Sequence, residues 1–311
     1  MKGHYLALVD GENRIKAGLP VFVVNSWLTG TRLVSVPFAT LSDPLISSKE
    51  EFEILFSEVL RLSDHLKIPR THIKTLHASK FIEEPRMAID RFYVSHYFSL
   101  NGTPHKLLER FHLTAVRQPI QKLRTTGLKF QTGLDEEDLK AFYLLYDKTR
   151  RRLGLPTQPY RFFTALWDTF MPVGRLSLCL AKLEGRLLAG HIYFKFNGRY
   201  SMEFEGWDRD FRHLTPNHFL IWEAIKIACL EGYKVFDFGR TSPNEHGLMK
   251  FKERWGTKVI ELPEYFHPGE KAIDYNKKER STSYEIIRQF CRYAPEAIRN
   301  PFNEFCYRHL G

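Results

Sequence analysis

The chain from residue 175 to residue 240 reads RLSLCLAKLEGRLLAGHIYFKFNGRYSMEFEGWDRDFRHLTPNHFLIWEAIKIACLEGYKVFDFGR. Apolar and β-branched residues predict three strands in its first half, Arg175–Leu183, Leu187–Phe196 and Arg199–Trp207. The pairs Glu184-Gly185 and Asn197-Gly198 separate them, and glycine-containing pairs of this kind favour tight turns. The stretch therefore predicts an antiparallel three-stranded meander.

A helix and a further strand follow the meander. Thr215 is a residue type that caps helices, Pro216 suits the first helical position, and Gly232 is typical of a helix end. Residues 219–228 are apolar on almost every side, as expected of a buried helix. Because the apolar run Lys234–Phe238 comes next, the order predicts an α/β unit around a mixed sheet.

The same order occurs earlier in the chain. Strand patterns at Tyr5–Val9, Ala17–Val24 and Thr31–Phe38 precede apolar residues at helical spacing from Phe52 to Leu60. We therefore predict an α/β (α+β) protein of two tandem domains with mixed sheets. The predicted limits are 1–104 for a first domain that is shortened at its start and 105–265 for the second. A C-terminal extension, 266–311, is expected to pack on the other domain.

The composition indicates a globular protein with a basic surface. Apolar residues make up 43% and charged residues 26%, which excludes a disordered chain. The net charge of +10 favours anionic partners such as nucleic acid, nucleotide phosphates or anionic lipid. The four cysteines and thirteen histidines show no paired-ligand spacing, so we expect reduced thiols and no metal. The sequence has no signal-peptide pattern and no apolar run of membrane-spanning length, so we expect a cytoplasmic protein. A location at the inner face of the membrane is the open alternative.

Residues 204–256 carry a family resemblance. The runs Phe204-Glu-Gly-Trp-Asp208, Phe236-Asp-Phe-Gly-Arg240 and Gly247-Leu-Met-Lys-Phe-Lys-Glu-Arg-Trp-Gly256 resemble the second half of FemAB-type proteins. These proteins are peptidoglycan-bridge aminoacyltransferases and their relatives, including acyltransferase-like members in exosortase and polysaccharide gene clusters. The closing Tyr307-Arg-His-Leu-Gly311 is similar to the end of the exosortase-associated branch, so the resemblance extends over nearly the whole chain.

The resemblance implies two acyl-CoA N-acyltransferase-like (GNAT) domains with a cleft between them. It also implies transfer of an aminoacyl or acyl group to an amine of a phosphate-bearing cell-envelope or polysaccharide precursor. The donor would be aminoacyl-tRNA or acyl-CoA, with no tightly bound cofactor. Two alternatives stay open: an acyl-CoA-dependent GNAT N-acetyltransferase acting on a sugar amine or amino acid, and a degenerate, non-catalytic GNAT pair that binds RNA or a precursor.

The stretch before the buried helix departs from the acyl-CoA pattern. GNAT enzymes that use acyl-CoA carry a glycine loop there, whose backbone N–H groups receive the pyrophosphate. The matching stretch here runs from Arg212 to Asn217 and has Thr215 and Pro216 where glycines are expected. Since Pro216 has no N–H, we expect weak CoA binding and regard Arg212 and Asn217 as substrate-binding candidates.

Three carboxylates are candidates for the general base. Amide formation needs an amine without its proton, and a carboxylate within reach would remove it. Glu203 and Glu205 alternate along the strand that, by resemblance, lines the transfer cleft, and Asp237 ends the next buried strand. A substrate phosphate or the donor ribose could take the proton instead. Asp237 could also anchor the following loop through Arg240 or a backbone N–H.

Basic residues are the candidates for phosphate binding. Lys250 and Lys252 alternate in a short helical pattern, and Arg240 and His246 are close in sequence. The resemblance adds Arg117 and Lys122, in a helix where Pro119 should cause a kink or a restart. The alternative is a basic helix face in water. If these residues bind phosphates, tRNA and a membrane surface are further partner hypotheses.

Overall fold

The computed structural model describes residues 2–26, 30–40, 42–271, 277 and 281–309, and only the backbone of residues 124 and 271. The chain divides into two compact units. The first unit comprises Met1–Val94, Glu261–Tyr284 and Phe305–Gly311, and the second comprises Ser95–Ile260 and Glu285–Glu304.

The strands are, in chain order, β1 (Lys2–Val9), β2 (Ile15–Val24), β3 (Arg32–Val34), β4 (Thr71–Lys74), β5 (Ala88–Asp90), β6 (Val94–Ser99), β7 (Lys129–Thr132), β8 (Leu176–Leu183), β9 (Arg186–Phe196), β10 (Arg199–Trp207), β11 (Val235–Thr241), β12 (Lys258–Glu261) and β13 (Glu264–His267). The α-helices are α1 (Lys49–Leu66), α2 (Pro104–Glu109), α3 (Gln118–Lys122), α4 (Glu136–Leu153), α5 (Tyr160–Phe170), α6 (Pro216–Leu230), α7 (His246–Glu253), α8 (Thr282–Tyr293) and α9 (Glu296–His309).

The sheet of the first unit has, among the described residues, six strands in the order β1-β2-β3-β4-β13-β5. Its pairs are antiparallel except for β3 and β4, which run parallel. The hydroxyl of Ser48 accepts the N–H of Glu51 and so caps the start of α1. Phe52, Phe56 and Val59 of α1 are buried against the sheet, and this apolar contact forms the core of the unit.

The sheet of the second unit has seven strands in the described part of the chain, in the order β12-β6-β11-β10-β9-β8-β7. Strands β7 to β10 are antiparallel neighbours, and β10 and β11 run parallel. α6 covers one face of this sheet and α4 covers the other, as the alternating side chains of β8 show. Cys179 and Ala181 pack in the cluster that contains α6, whereas Leu178 and Leu180 pack in the cluster that contains α4. The predicted mixed α/β class with two mixed sheets is confirmed.

Local signals explain where α4 begins and ends. The Asp135 carboxylate accepts the N–H of Asp138 at 2.9 Å, and acidic residues occupy the first turn. The last turn is basic, and Gly154 follows it at φ 70°, in the left-handed region that favours glycine. The basic end of α4 lies beside the end of β10, since Thr149 and Arg152 both contact Trp207.

The segment from 104 to 125 is a series of short helical pieces. After α2, a π-helical turn spans Leu113–Arg117 and leads directly into α3. The expected longer helix is interrupted at residues 110–112, and Pro119 lies in the first turn of α3, where its missing N–H costs no hydrogen bond.

The unit boundaries lie elsewhere than the predicted domain limits of 104/105 and 265/266. Strand β6 joins the sheet of the second unit and β13 joins the sheet of the first. The C-terminal extension is divided, since Glu285–Glu304 groups with the second unit and Phe305–Gly311 with the first. Sheet hydrogen bonds between residues far apart in sequence place these segments, and local patterns do not report such bonds.

Candidate active site

A gap opens in the second sheet between β10 and β11, which run parallel. β10 pairs with β11 through Arg199–Ser201 and Val235–Asp237, and within the described residues the pairing stops there. Both strands continue, β10 to Trp207 and β11 to Thr241. Their carboxyl ends therefore separate, and we call the space between them the strand gap. Ligands of open α/β sheets bind at places where neighbouring parallel strands part in this way.

A β-bulge lies on β10 at the same level. The register of β10 on β9 shifts between Met202 and Phe204, which makes Glu203 the additional residue. Bulges bend a strand and re-aim its side chains, and they are frequent beside active sites. Glu203 is partly buried, and its charge raises the pKa of Lys252. Glu203 therefore lies within electrostatic reach of Lys252.

Glu205 lies on β10 within the strand gap. It is opposite His191 of β9, and directly opposite residues share one face of a sheet. His191 bonds through Nε2 to Oδ1 of Asn217 at 3.3 Å, so Glu205 faces the side on which α6 begins. Burial raises the pKa of the Glu205 carboxyl, and the charges of Lys252 and Arg152 oppose this rise. A carboxyl with a raised pKa beside a gap is suited to accept a proton near neutral pH.

Asp237 is fully buried at the point where the parallel pairing ends. Its Oδ1 accepts hydrogen bonds from the Ser95 hydroxyl at 3.0 Å and from the Gly239 N–H at 2.7 Å. Its Oδ2 accepts one from Arg199 at 2.6 Å. These bonds match the anchoring role considered for Asp237. The partner is Arg199 and not Arg240, whose side chain is exposed at the end of β11.

Lys252 is buried in α7 and points at the end of β11. Its ammonium donates to the carbonyl oxygens of Phe238 at 2.6 Å, Gly239 at 3.0 Å and Arg240 at 3.3 Å. All three ammonium hydrogens therefore have an acceptor. Burial lowers the pKa of Lys252 to about 8, while the charges of Glu205, Asp237 and Glu203 act in the opposite direction.

The position of Lys252 differs from the expected phosphate-binding face. Residues two positions apart in an α-helix are separated by about 200° around its axis, so Lys252 faces away from Lys250 and Arg254. Lys252 braces β11 at the strand gap, whereas Lys250 and Arg254 are exposed on the other side of α7. Residues that alternate in sequence lie on opposite sides of a helix, so the expected single basic face with Lys250 and Lys252 does not form.

The start of α6 offers few donors to an anion. Thr215 has φ 48°, in the left-handed region, and its side chain makes no capping bond, contrary to the capping role expected for it. Pro216 follows as the first helical residue and has no N–H. Arg212 is exposed on the preceding turn, and Asn217 is bonded to His191. Burial lowers the pKa of His191 to about 4, so its imidazole is neutral in this contact.

The other predicted basic residues are spread over the second unit. His246 is exposed at the first position of α7, and Lys122 is exposed at the end of α3. Arg117 is partly buried, and its Nε makes no hydrogen bond within the described part of the chain. Lys250 lines a cavity with Arg110 and other residues. Of the predicted residues, the structure thus brings Glu203, Glu205, Asp237 and Lys252 to the strand gap, and Asn217 is bonded to His191, the residue opposite Glu205 on β9.

Arg152 is a site residue that the sequence reasoning missed. Its guanidinium lies 4.6 Å from the ring centroid of Trp207, and its charge acts on Glu205. The sequence pointed to Arg152 only as part of the basic end of α4. It gave no sign of the link to Glu205, because the two residues are far apart in the chain. Among the described residues, no group of three or more His, Cys, Asp or Glu is placed to hold a metal ion, and no helix is long and apolar enough to span a membrane.

Comparison with known families and curated proteins finds similarity in the second unit. Residues 110–253 match the family described as "Acetyltransferase (GNAT) domain". The lipid II:glycine glycyltransferase of Staphylococcus haemolyticus (strain JCSC1435) is 43% identical over 58 residues. That alignment spans 17% of this chain and only 14% of that enzyme.

Solved structures extend the similarity to nearly the whole chain. The crystal structure of FemX superposes with a TM-score of 0.69 at 16% identity, covering 93% of this chain and 90% of FemX. L-PGS from Bacillus licheniformis gives 0.58 at 12% identity, with coverage of 94% and 90%. A tandem GNAT protein from the clavulanic acid biosynthesis pathway gives 0.55 at 10% identity, with coverage of 86% and 83%. The resemblance seen in the sequence is therefore confirmed: residues 110–253 match the GNAT acetyltransferase domain family, and the chain has a fold similar to that of FemX.

Proposed function

We propose that the chain is a FemAB-like N-acyltransferase that transfers an aminoacyl or acyl group to an amine of a phosphate-bearing cell-envelope or polysaccharide precursor. The observation that carries this proposal is the strand gap with Glu205 inside it. Parting parallel strands give two substrates a place to meet in line, and the carboxyl with the raised pKa lies at that place. The similarity to a lipid II:glycine glycyltransferase supports the same reaction class.

In this proposal the acceptor amine attacks the carbonyl carbon of the donor ester, and Glu205 accepts the proton that the amine loses. The new amide bond forms as the donor oxygen leaves, and the proton passes to that oxygen. Asp237 and Lys252 act by holding the end of β11 in place, through Arg199 and Gly239 on one side and three carbonyl oxygens on the other. Glu203, in the bulge, contributes negative charge that stabilises the ammonium of Lys252.

We propose aminoacyl-tRNA as the donor. A CoA pyrophosphate would need free backbone N–H groups at the start of α6, and this start has Pro216 in place of a donor. Thr215 has a left-handed backbone, and it lacks the conformational range that lets a glycine loop bring several N–H groups together. The net charge of +10 favours a polyanionic donor and a phosphate-bearing acceptor, at the inner face of the membrane or in the cytoplasm.

The test is a transfer assay with the full chain, charged glycyl-tRNA or acetyl-CoA as donor, and a nucleotide-linked muropeptide as acceptor. Mass spectrometry should find the acceptor heavier by one glycyl residue with tRNA and unchanged with acetyl-CoA. Glu205→Gln should lower the rate by roughly 100-fold, as expected for loss of a general base. Glu137→Gln removes an equally sized, exposed carboxylate at the start of α4 and should leave the rate unchanged.

The outcomes separate the alternatives. Transfer from acetyl-CoA alone would move the chain to the acyl-CoA-dependent enzymes and refute our interpretation of Thr215 and Pro216. Binding of charged tRNA without any product would favour a non-catalytic GNAT pair. Full activity of Glu205→Gln would refute the assignment of the base.

A further inference from the structure

A cavity of about 380 Å³ lies on the outer side of α7. This volume is at the lower end of the range of small-ligand sites. Its lining residues come from two parts of the second unit, Arg110, His112, Lys250, Glu253, Arg254 and Gly256. Lys250 lies on α7 and Arg254 directly follows its last residue, still in helical conformation and with its N–H bonded to the carbonyl of Lys250, so their side chains share one face.

The backbone holds the two parts of the cavity together. The N–H of His112 donates to the carbonyl of Arg254 at 2.8 Å. Gly256 has φ 68°, and a Cβ at this position would lie 3.3 Å from the carbonyl oxygen of Arg110. The left-handed backbone favours a glycine here, and the approach to Arg110 is closer than most Cβ atoms make. The interruption between α2 and the π-helical turn is what brings Arg110 and His112 to α7.

The cavity has an excess of positive charge. Arg110, Lys250 and Arg254 contribute three cations against the one carboxylate of Glu253. None of the three forms an ion pair with a carboxylate in the part of the chain that the structure describes. Surface cations are normally surrounded by water or paired, and three unpaired ones around one cavity favour an anion of charge near −2.

His112 adds a donor of defined direction. Its Nδ1 accepts the N–H of Ala115 at 3.3 Å and so caps the π-helical turn. An imidazole whose Nδ1 accepts a hydrogen bond carries its ring proton on Nε2. Nε2 is therefore the donor that His112 offers to a ligand in the cavity.

We propose that this cavity, which we call the α7 anion site, binds a phosphomonoester or diphosphate group of a small substrate. It lies on the opposite side of α7 from Lys252, so it would hold a phosphate of the substrate apart from the reacting groups. The assignment to the acceptor rests on the proposed function, whereas the binding of the anion does not require any transfer. Three cations and one N–H match the oxygens and the charge of such a group.

The test is calorimetric titration of the full chain with inorganic pyrophosphate at low ionic strength, where electrostatic binding is strongest. We expect saturable binding that added salt weakens. Arg254→Gln and Lys250→Gln should each weaken it about tenfold, through loss of one charge-assisted bond. Lys129→Gln is the control. It removes the same charge from an exposed position on the edge strand β7, which contributes no residue to the cavity, and it should leave binding unchanged.

A further variant separates ligand binding from folding. His112→Asn keeps a capping acceptor for the N–H of Ala115 but withdraws the donor from the Nε2 position to the shorter Nδ2 amide, so it should weaken pyrophosphate binding with little change in thermal midpoint. Phosphatidylcholine vesicles with and without a prenyl diphosphate will distinguish a lipid-borne from a soluble diphosphate.

The proposal is overturned if the parent chain does not bind pyrophosphate, or if Lys129→Gln weakens binding as much as Arg254→Gln does. It is also overturned if the α7 variants affect binding of an RNA oligomer alone. Because no donor is present, these results are independent of the transfer assay. Pyrophosphate binding with no transfer would leave the α7 anion site standing and refute the proposed function.

Discussion

Replacing Asp237 by asparagine should destabilise the second unit while leaving its shape unchanged. The substitution puts an amide where the Oδ2 oxygen now accepts the 2.6 Å hydrogen bond of Arg199, so two donors would face each other. Asp237 is fully buried, and the side chain of Arg199 is 24% exposed. Removing one partner of a buried ion pair costs about 3–5 kcal/mol, and the partial exposure of Arg199 favours the lower end, about 3 kcal/mol.

The assay is thermal unfolding followed by circular dichroism. A loss of about 3 kcal/mol in a unit of this size corresponds to a midpoint roughly 6–12 °C lower. Asp168→Asn is the matched control, since Asp168 is exposed on α5 and its loss should change the free energy of unfolding by less than about 0.5 kcal/mol. A midpoint for Asp237→Asn equal to that of the control would refute the anchoring role.

A double-mutant cycle makes the test specific for the pair. Arg199→Met alone leaves the Asp237 carboxylate with its bonds to Ser95 and Gly239 but without a cation. Arg199→Met combined with Asp237→Asn should therefore lose less stability than the two single changes together, with a coupling energy of about 1–3 kcal/mol. Additive losses would show that the two side chains act independently.

Three further predictions concern the strand gap and its supports. The transfer rate of the parent chain should rise with pH through an apparent pKa above the usual range of a glutamate, because burial raises the pKa of Glu205. Glu205→Gln should remove this rise, and an unchanged pH profile would exclude Glu205 as the base. Gly206→Ala should cost about 2–3 kcal/mol of unfolding free energy, because the new Cβ would lie 2.6 Å from the backbone nitrogen of Tyr146. Gly247→Ala meets no atom within 4 Å and lies in the first turn of α7, so it should leave the unfolding free energy unchanged or raise it by up to about 1 kcal/mol, and equal losses in denaturant titrations would contradict the contact. Lys252 has a pKa of about 8 in the folded chain against 10.5 in the unfolded one, so unfolding takes up a proton between these values and the parent gains stability as pH rises from 8 to 10. Lys252→Met should lack this gain, and identical pH slopes for the two chains would contradict a lowered pKa.

Much of the fold could be predicted because its signals are local. The turns at Glu184-Gly185 and Asn197-Gly198 join β8, β9 and β10 as predicted, and both glycines have positive φ. The acidic start and basic end of α4 and the apolar surface of α6 also match the structure. Each of these features depends on residues within a few positions of one another, where backbone sterics, capping and the helix period act directly.

The arrangement of the site required the tertiary structure. Nothing near Asp237 in sequence indicates that Arg199 is its partner, and nothing near Arg254 indicates that Arg110 and His112 lie beside it. The strand pattern of β6 is the same whichever sheet it joins, and it pairs in the second one. The sequence contained the carboxylates, the cations and the elements that carry them. Long-range strand pairing and packing chose which of these groups meet, because the hydrogen bonds and apolar contacts that decide it join residues far apart in the chain.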